Sequence, residues 1–536
     1  MEPPPAISAR SRALTLGRRL GQWLSPYDAA FLLLAGALTF WVARDAFGAR
    51  IATFSPRADY WEHSAALRAL LEDPFHPRHP LVKNDWGSPR FSPHFLIVAL
   101  FGRAFGWSVL SAMSVLAVVN TLLFTGGIYV FFREYFRDRR APLFALIVLF
   151  CTWPDAPNFS NVYELSVFFA VASYPSTAAL ALTLWGLWFA TRLARSERLR
   201  PGLVVLHGLG WAYVYVTHPL TATLAFTAVA LLFATEPNLP LRRRLVLLAT
   251  LPLGLAVAAL WPYYPALGMV LGGTASRVKD GLDTGTSYDH PFYEPERILE
   301  IVGFSVVALP ALVVMLVKRK HLFVPLGAAV MLAVFATGAV LKIPLGHRYL
   351  ILSVLFLQMG LVWLLLALVP IAPLPAWASR KALRWAAVAL VGCFLAGCLV
   401  IGVKDASTRF RRTVGSRRAS PTLVYAQRVA ELAGPEAVVL SHSLLSWPLP
   451  TFGLEVVTLH HRDPLVLDSD VRRAAVIRFL GAGVSAEERE GILRRYRVTH
   501  VILEGRSGEA DAFLEKHSKP RRLPGGSRLY SLRSNG

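Results

Sequence analysis

The sequence predicts a mainly α-helical fold: a polytopic membrane bundle of about eleven spans, closed by a small C-terminal extracytoplasmic α/β domain. Three observations carry that reading. The chain has 536 residues, 54% of them hydrophobic and only 17% charged, whereas soluble domains carry roughly a quarter charged residues. A single soluble core stops growing at roughly 250–300 residues. Apolar runs of membrane-crossing character recur as far as residue 403, and the composition changes near residue 420. One large soluble domain, a disordered chain and a collagen-like fibre are thereby excluded.

Lys and Arg number 56 against 34 Asp and Glu, a net charge of +22. In a soluble protein that excess would point to nucleic acid. Here the basic residues fall mainly in short clusters between apolar runs, which is the positive-inside pattern. Membrane lipids are therefore expected as partners and nucleic acid is not. Cys151, Cys393 and Cys398 all lie inside apolar runs without metal spacing, and read as small core residues.

Residues 1–27 form a basic cytoplasmic N-terminus, and Arg10, Arg12, Arg18 and Arg19 hold that end of the first span, 28–44, inside. No small-residue cleavage site follows this span, so it reads as a retained anchor. The outer loop 45–107 comes next. Within it Ser55-Pro56 and Ser92-Pro93 each place a capping hydroxyl before a proline suited to the first helical position. The apolar stretch 91–106 is short. A full crossing there would put Arg133, Arg137, Arg139 and Arg140 outside, so the stretch is laid along the outer membrane surface.

Spans at 108–131, 141–153 and 175–192 follow, with 154–174 outside. Spans 201–216 and 219–235 form an outer hairpin with His218-Pro219 at its tip. Span 245–263 leads to the outer loop 272–296. Spans 298–317, 322–341 and 349–369 come next, the last two flanking an outer turn from Lys342 to Arg348, and span 385–403 exits. The transmembrane domain is thus 28–403. A basic linker, 404–419, would lie outside; the charge rule weakens where a long domain follows. In the extracytoplasmic domain, 420–536, strands are expected at 437–440, 456–459, 498–503 and 528–532, and helices at 468–480 and 485–495. The chain contains no GxGxxG, GxxxxGK[ST] or GxSxG motif.

Carboxylates and imidazoles gather on the outer face. Asp59, Glu62 and His63 lie in the first loop, Asp155 and Glu164 in the second, and His218 at the hairpin tip. Lys342, His347 and Arg348 cap the late turn. A transporter would instead place ionisable groups near mid-span. Asp59 is expected in the first turn of a helix opened by Ser55-Pro56, with His63 one turn on along the same face. A carboxylate there can take a proton from an attacking hydroxyl. The same placement also suits a helix dipole, with His63 solvated. Arg348, beside His347, offers a planar cationic fork for a phosphate, or a snorkelling anchor for a helix end. His218, Asp155 and Glu164 are substrate contacts or loop caps. The spacing of His76, His79 and His94 matches no zinc motif, so no metal ligands are assigned; no cofactor is certain, although a divalent metal is compatible.

At these residues the chain resembles a known architecture. The first span is followed by Arg57-Ala-Asp59-Tyr-Trp-Glu62-His63, then by the run Ser92 to Gly106, a span, and Phe132-Arg-Glu-Tyr-Phe-Arg137. Gly346-His-Arg-Tyr-Leu350 opens a late span, and the tail carries Leu493 to Leu503 and Arg528-Leu-Tyr530. This is similar to the GT-C superfamily of polytopic glycosyltransferases, which includes protein O-mannosyltransferases and the aminoarabinose transferase. The resemblance implies a bacterial inner-membrane enzyme with a polyprenyl-phosphate-linked sugar donor and a lipid, glycan or protein acceptor. It implies an essential acid in the first outer loop. Family members often carry an Asp-Glu pair there, whereas Tyr60 follows Asp59 here, so the role passes to Asp59 first and Glu62 second. Transfer by single displacement inverts the sugar, with Asp59 as general base and Arg348 on the phosphate. Alternatives are a lipid or solute transporter or flippase, a non-catalytic scaffold, and an oligosaccharide ligase or polymerase with a diphosphate-linked donor.

Overall fold

Prolines mark the helix starts. In the computed structural model, which describes residues 25–47, 59–84, 87–153, 161–271, 290–343, 345–368, 379–415, 420–461, 463–505 and 508–532, the first half of the chain is helical. It forms α1 (Pro26–Phe47), α2 (Tyr60–Glu72), α3 (Pro93–Phe105), α4 (Val109–Phe136), α5 (Ala141–Cys151), α6 (Leu165–Val171), α7 (Pro175–Arg195), α8 (Pro201–Thr217) and α9 (Pro219–Thr235). Proline stands in the first turn of α3, α5, α7, α8 and α9, where its fixed φ suits the helix and its missing N–H is not needed.

The bundle continues as α10 (Leu241–Leu248), α11 (Thr250–Ala258), α12 (Ala266–Leu271), α13 (Pro295–Val302), α14 (Leu309–Val317), α15 (Phe323–Leu341), α16 (Arg348–Leu368) and α17 (Ser379–Gly415). The predicted span 245–263 is two helices. Pro252 lacks the N–H that would reach the Leu248 carbonyl, and the helix breaks there. Likewise Pro310 offers nothing to Val306, and a 3₁₀ stretch, Gly303–Ala308, separates α13 from α14. The basic stretch 404–415 continues α17 as helix.

Among the described residues, six helical segments are long and apolar enough to cross a membrane: 26–47, 109–136, 175–195, 295–317, 323–341 and 348–368. The other five expected spans coincide with the shorter α5, α8 and α9, with the broken pair α10 and α11, and with α17, whose apolar part is 389–404. The stretch expected to lie along the membrane is α3. Ser92 caps it by accepting from Phe95 N–H at 3.2 Å. It buries His94, Phe95 and Val98 and exposes Ile97, Leu100, Phe101 and Phe105, the two-faced pattern of an interfacial helix. Inside the bundle α4 and α7 pack closest. A Cβ at Gly127 would meet Leu184 Cβ at 2.9 Å and the Ala181 carbonyl oxygen at 3.0 Å.

The tail comprises α18 (Pro421–Ala433), β1 (Val438–Leu440), α19 (Ser443–Ser446), β2 (Glu455–Val456), α20 (Ser469–Leu480), α21 (Ala486–Arg495), β3 (His500–Leu503), α22 (Glu509–Glu515), β4 (Arg521–Arg522) and β5 (Arg528–Ser531). The sheet order is β2-β1-β3-β5-β4. β1 runs parallel to β2 and β3, while β5 runs antiparallel to β3 and β4. Side chains alternate across the strands. Val439 and Ile502 face α18, and Val438, Leu440 and Val501 face α20, α21 and α22. The short strand β4 and the helices α18, α19 and α22 are not among the elements expected from the sequence.

The tail docks on the first loop. Leu81 accepts from Val456 N–H at 2.9 Å, so loop backbone extends the sheet beyond β2. Ser64 and Thr451 hydroxyls meet at 2.7 Å, and Arg68 donates to the Pro450 carbonyl at 2.8 Å. Ala65, Leu81 and Val82 join the apolar layer of α18.

Candidate active site

Asp59 is not inside a first helical turn. It is the N-cap of α2, and its carbonyl receives the N–H groups of Glu62 and His63 at 3.1 and 3.0 Å. Its carboxylate makes no capping bond. Ser55-Pro56 lie outside the described residues. The carboxylate turns instead toward His461 Nδ1, at 3.3 Å, and remains 48% exposed. Glu62, one turn on, is buried at 2%.

Glu62 is fully engaged. Oε1 accepts from His461 Nδ1 at 2.9 Å and from Trp447 Nε1 at 3.2 Å, and Oε2 pairs with Arg90. A second guanidinium nitrogen of Arg90 lies 2.7 Å from Asp463 Oδ2. Asp463 in turn receives the Ser88 hydroxyl and the Leu465 N–H. His79 accepts from Leu81 and Val82 N–H at Nδ1, which fixes its proton on Nε2, 3.6 Å from Asp463. The result is a buried chain of alternating charge linking the first loop to the tail.

The carboxyls of Asp59 and Glu62 are driven apart. Although its carboxylate is 48% exposed, the protein packed around Asp59 and the neighbouring Glu62 raise it, against His461, Arg90 and Arg348. Burial also opposes ionisation of Glu62, but Arg90 and His461 outweigh it and hold Glu62 well below the usual carboxylate range. Asp463 is held low by His79 and Arg90 despite its burial. His461 is raised: burial opposes protonation, and Glu62 and Asp59 overcome it. His63 is not solvated. Burial, then Arg90, pushes it down to about 3, and its ring packs edge-on against Tyr174 at 4.7 Å.

Other expected residues converge in part. Arg348 opens α16, and its charge acts on both Asp59 and His218. His218 caps α9, with Nδ1 accepting from Thr221 N–H at 3.2 Å, which leaves Nε2 as the donor. His347 is buried and stacked on Phe292 at 4.7 Å. Glu164 caps α6, accepting from Val167 N–H at 2.9 Å. Lys342 is an exposed left-handed C-cap of α15, φ 51°. Asp155 lies outside the described residues. His94 is a satisfied core histidine, 2.7 Å from Asn120 and 3.2 Å from Tyr213.

Sequence reasoning did not single out Arg90, Trp447, His461 or Asp463. The available signal was His460-His461 followed two residues later by Asp463, polar groups that end a strand-bearing stretch of the tail. One ligand atom each of Asp59, Glu62 and His461 lies within 4.8 Å of the others. Two carboxylates and an imidazole suit a divalent cation, which would require His461 Nδ1 to give up its proton and its bond to Glu62 Oε1.

No family model matches the chain, and no curated protein matches it. Solved structures do. That of ArnT from Cupriavidus metallidurans bound to undecaprenyl phosphate is similar with a TM-score of 0.56 and 15% identity, over 94% of this chain and 98% of that one. The chain has a GT-C-like fold. The apo state of the same ArnT gives 0.51 at 15% identity, over 93% of this chain and 98% of that one. Arabinofuranosyltransferase AftD from Mycobacteria gives 0.52 at 16% identity, over 92% of this chain but only 40% of its own. On this GT-C-like fold the recess is composite: the first loop brings Asp59, Glu62 and Arg90, α16 brings Arg348, and the tail brings His461.

Proposed function

We propose that this GT-C-like chain is a membrane glycosyltransferase. It moves a hexosyl or pentosyl group from a polyprenyl-phosphate donor to a lipid, glycan or protein acceptor on the non-cytoplasmic side of the membrane. The carrying observation is the convergence of Asp59, an accessible carboxylate of raised proton affinity, with the cation of Arg348. In the reaction the acceptor oxygen attacks the anomeric carbon. The bond from that carbon to the phosphate oxygen breaks, and the phosphate leaves with the electron pair. Asp59 takes the acceptor proton. Arg348 stabilises charge on the leaving phosphate. One displacement inverts the anomeric centre.

Glu62 serves differently. Both its oxygens are committed to Arg90, Trp447 and His461, so it holds those groups in place and stays ionised. If a divalent cation binds, Asp59, Glu62 and His461 hold it, and it supplies positive charge for the phosphate. The sugar-transfer reading is favoured over transport because the ionisable groups gather toward the helix ends and not near mid-span. The test is mass spectrometry of envelope lipids and glycans from cells with the gene, without it, and complemented by Asp59→Asn. A glycosylated species that needs wild-type protein supports transfer. Unchanged glycans, with altered lipid movement across the membrane, would make the chain a flippase. Release of polyprenyl diphosphate would make it an oligosaccharide ligase or polymerase.

A further inference from the structure

A second polar recess lies at the opposite end of the bundle. Ser114 near the start of α4 donates to the Ala46 carbonyl at 2.8 Å, at the end of α1 that leads to the Asp59 loop. Arg133, near the end of α4, pairs with Asp28 at the start of α1, at 3.3 Å. At ~1.5 Å per residue the two levels are about 28 Å apart along the helix. Around Arg133 an open recess is lined by Glu134, Arg137, Asp138, Arg139, Trp188 and Arg192.

The lining acids have partners. Asp138 pairs with Arg140 at 2.7 Å, and Glu134 lies 3.9 Å from Arg195. Arg133 is committed to Asp28. Arg137, Arg139 and Arg192 have no carboxylate within salt-bridge reach among the described residues; Arg192 instead lies over the Trp188 ring at 5.7 Å. Three guanidinium groups thus surround one opening. On the mid-bundle side of this opening α4 exposes apolar surface and packs closely on α7. Leu122 is exposed on α4, and Trp185 packs against the glycines 126 and 127.

We propose that this recess binds the phosphate headgroup of an anionic phospholipid, with its acyl chains against the exposed apolar side of α4 at Leu122. Guanidinium groups suit phosphate oxygens, and tryptophan beside them belongs at headgroup level. A free phosphate would use the same cations but would leave that apolar side uncovered.

The test is native mass spectrometry of the full chain, extracted from nanodiscs of phosphatidylcholine with 20% phosphatidylglycerol (roughly one anionic lipid in five). The triple variant Arg137→Gln, Arg139→Gln, Arg192→Gln removes three charges. Each near-surface cation contributes roughly a factor of five to anionic-lipid binding, so retention should fall by at least tenfold. The exposed triple Arg198→Gln, Arg200→Gln, Arg242→Gln removes equal charge elsewhere and should retain wild-type lipid. Equal loss in both triples would reduce the effect to bulk charge and overturn the site. Competition by millimolar glycerol phosphate at the affinity of the lipid would make the ligand a soluble phosphate and overturn the lipid assignment. If the recess triple misfolds, Arg139→Gln alone, at an exposed position, decides with an expected loss of about fivefold; wild-type retention there would overturn the site.

Discussion

His461 Nδ1 lies 2.9 Å from Glu62 Oε1, joining residues 399 positions apart. The tail therefore contributes a side chain to the candidate site, and the proposed activity would require its docking. Arg90 reinforces that docking by meeting Glu62 and Asp463 together. Arg90→Ala would strand two buried carboxylates, a change that costs about 3–5 kcal/mol where a buried pair is broken. The expected outcome is a tail that becomes susceptible to limited proteolysis while the bundle stays intact. Wild-type protease resistance would show that the apolar contact of Ala65, Leu81 and Val82 suffices.

Asp59→Asn should reduce transfer by roughly 10²–10⁴-fold, the usual loss when a general base is removed. Asp59 makes no capping bond, so the variant should express and fold like the wild type. Glu62→Gln should behave otherwise. It weakens the pairing with Arg90 and His461, and so should lower activity and tail docking together. Full activity in purified Asp59→Asn would move the base elsewhere.

The His461 shift gives the docking a pH dependence with a definite sign. Its folded pKa is raised above the ordinary value by Glu62 and Asp59. That stabilisation is fully present below about pH 6.5, the unfolded value, and is lost as pH rises through the folded pKa. Glu62 is depressed, so its share is present above its unfolded value and is lost only in strong acid. Thermal melts of the wild type should show tail docking weakening on the alkaline side of pH 6.5. In His461→Gln that dependence should flatten, and an unchanged pH profile would assign the effect to another group.

Much of the fold was legible because prolines and apolar runs act locally. Ser92-Pro93 opens α3 as its capping chemistry requires, and Pro201 and Pro219 open α8 and α9. Pro252 and Pro310 were equally visible, but the apolar composition of 245–263 and 298–317 masked the breaks they impose. In the site, Asp59 and Glu62 were legible as polar residues beside an apolar span. Arg90, His461 and Asp463 were not, because only tertiary docking brings residues 373–399 positions apart together. An isolated arginine between two prolines carries no local sign that it will bridge two buried carboxylates.

The orientation of the tail is open to direct measurement. The basic runs predict that it lies outside the cytoplasm. Cysteines placed at Ser469 and Glu487, in a background lacking the three native cysteines, should react with an impermeant thiol reagent in intact spheroplasts. Labelling only after lysis would turn the whole recess inward and remove the case for a lipid-carried donor.

Arg348 is the proposed receptor for the donor phosphate. A lipid phosphate must stop at headgroup level, because its charge enters hydrocarbon only at great cost. Its receptor must be a fixed cation at the end of a span, and Arg348 is the first residue of α16. His347, stacked on Phe292, fixes the turn from which Arg348 emerges. Arg348→Lys keeps the charge but loses the bidentate fork, so it should retain only part of the activity. Arg348→Ala should weaken donor binding by about 10–150-fold, since hydrogen bonds to charged groups contribute roughly 1.5–3 kcal/mol. Acceptor binding should change less. The measurement is affinity for polyprenyl phosphate on purified protein in nanodiscs. Unchanged affinity in Arg348→Ala would leave Arg348 as a helix anchor and direct the search to His218, whose Nε2 carries the proton, and to Lys342.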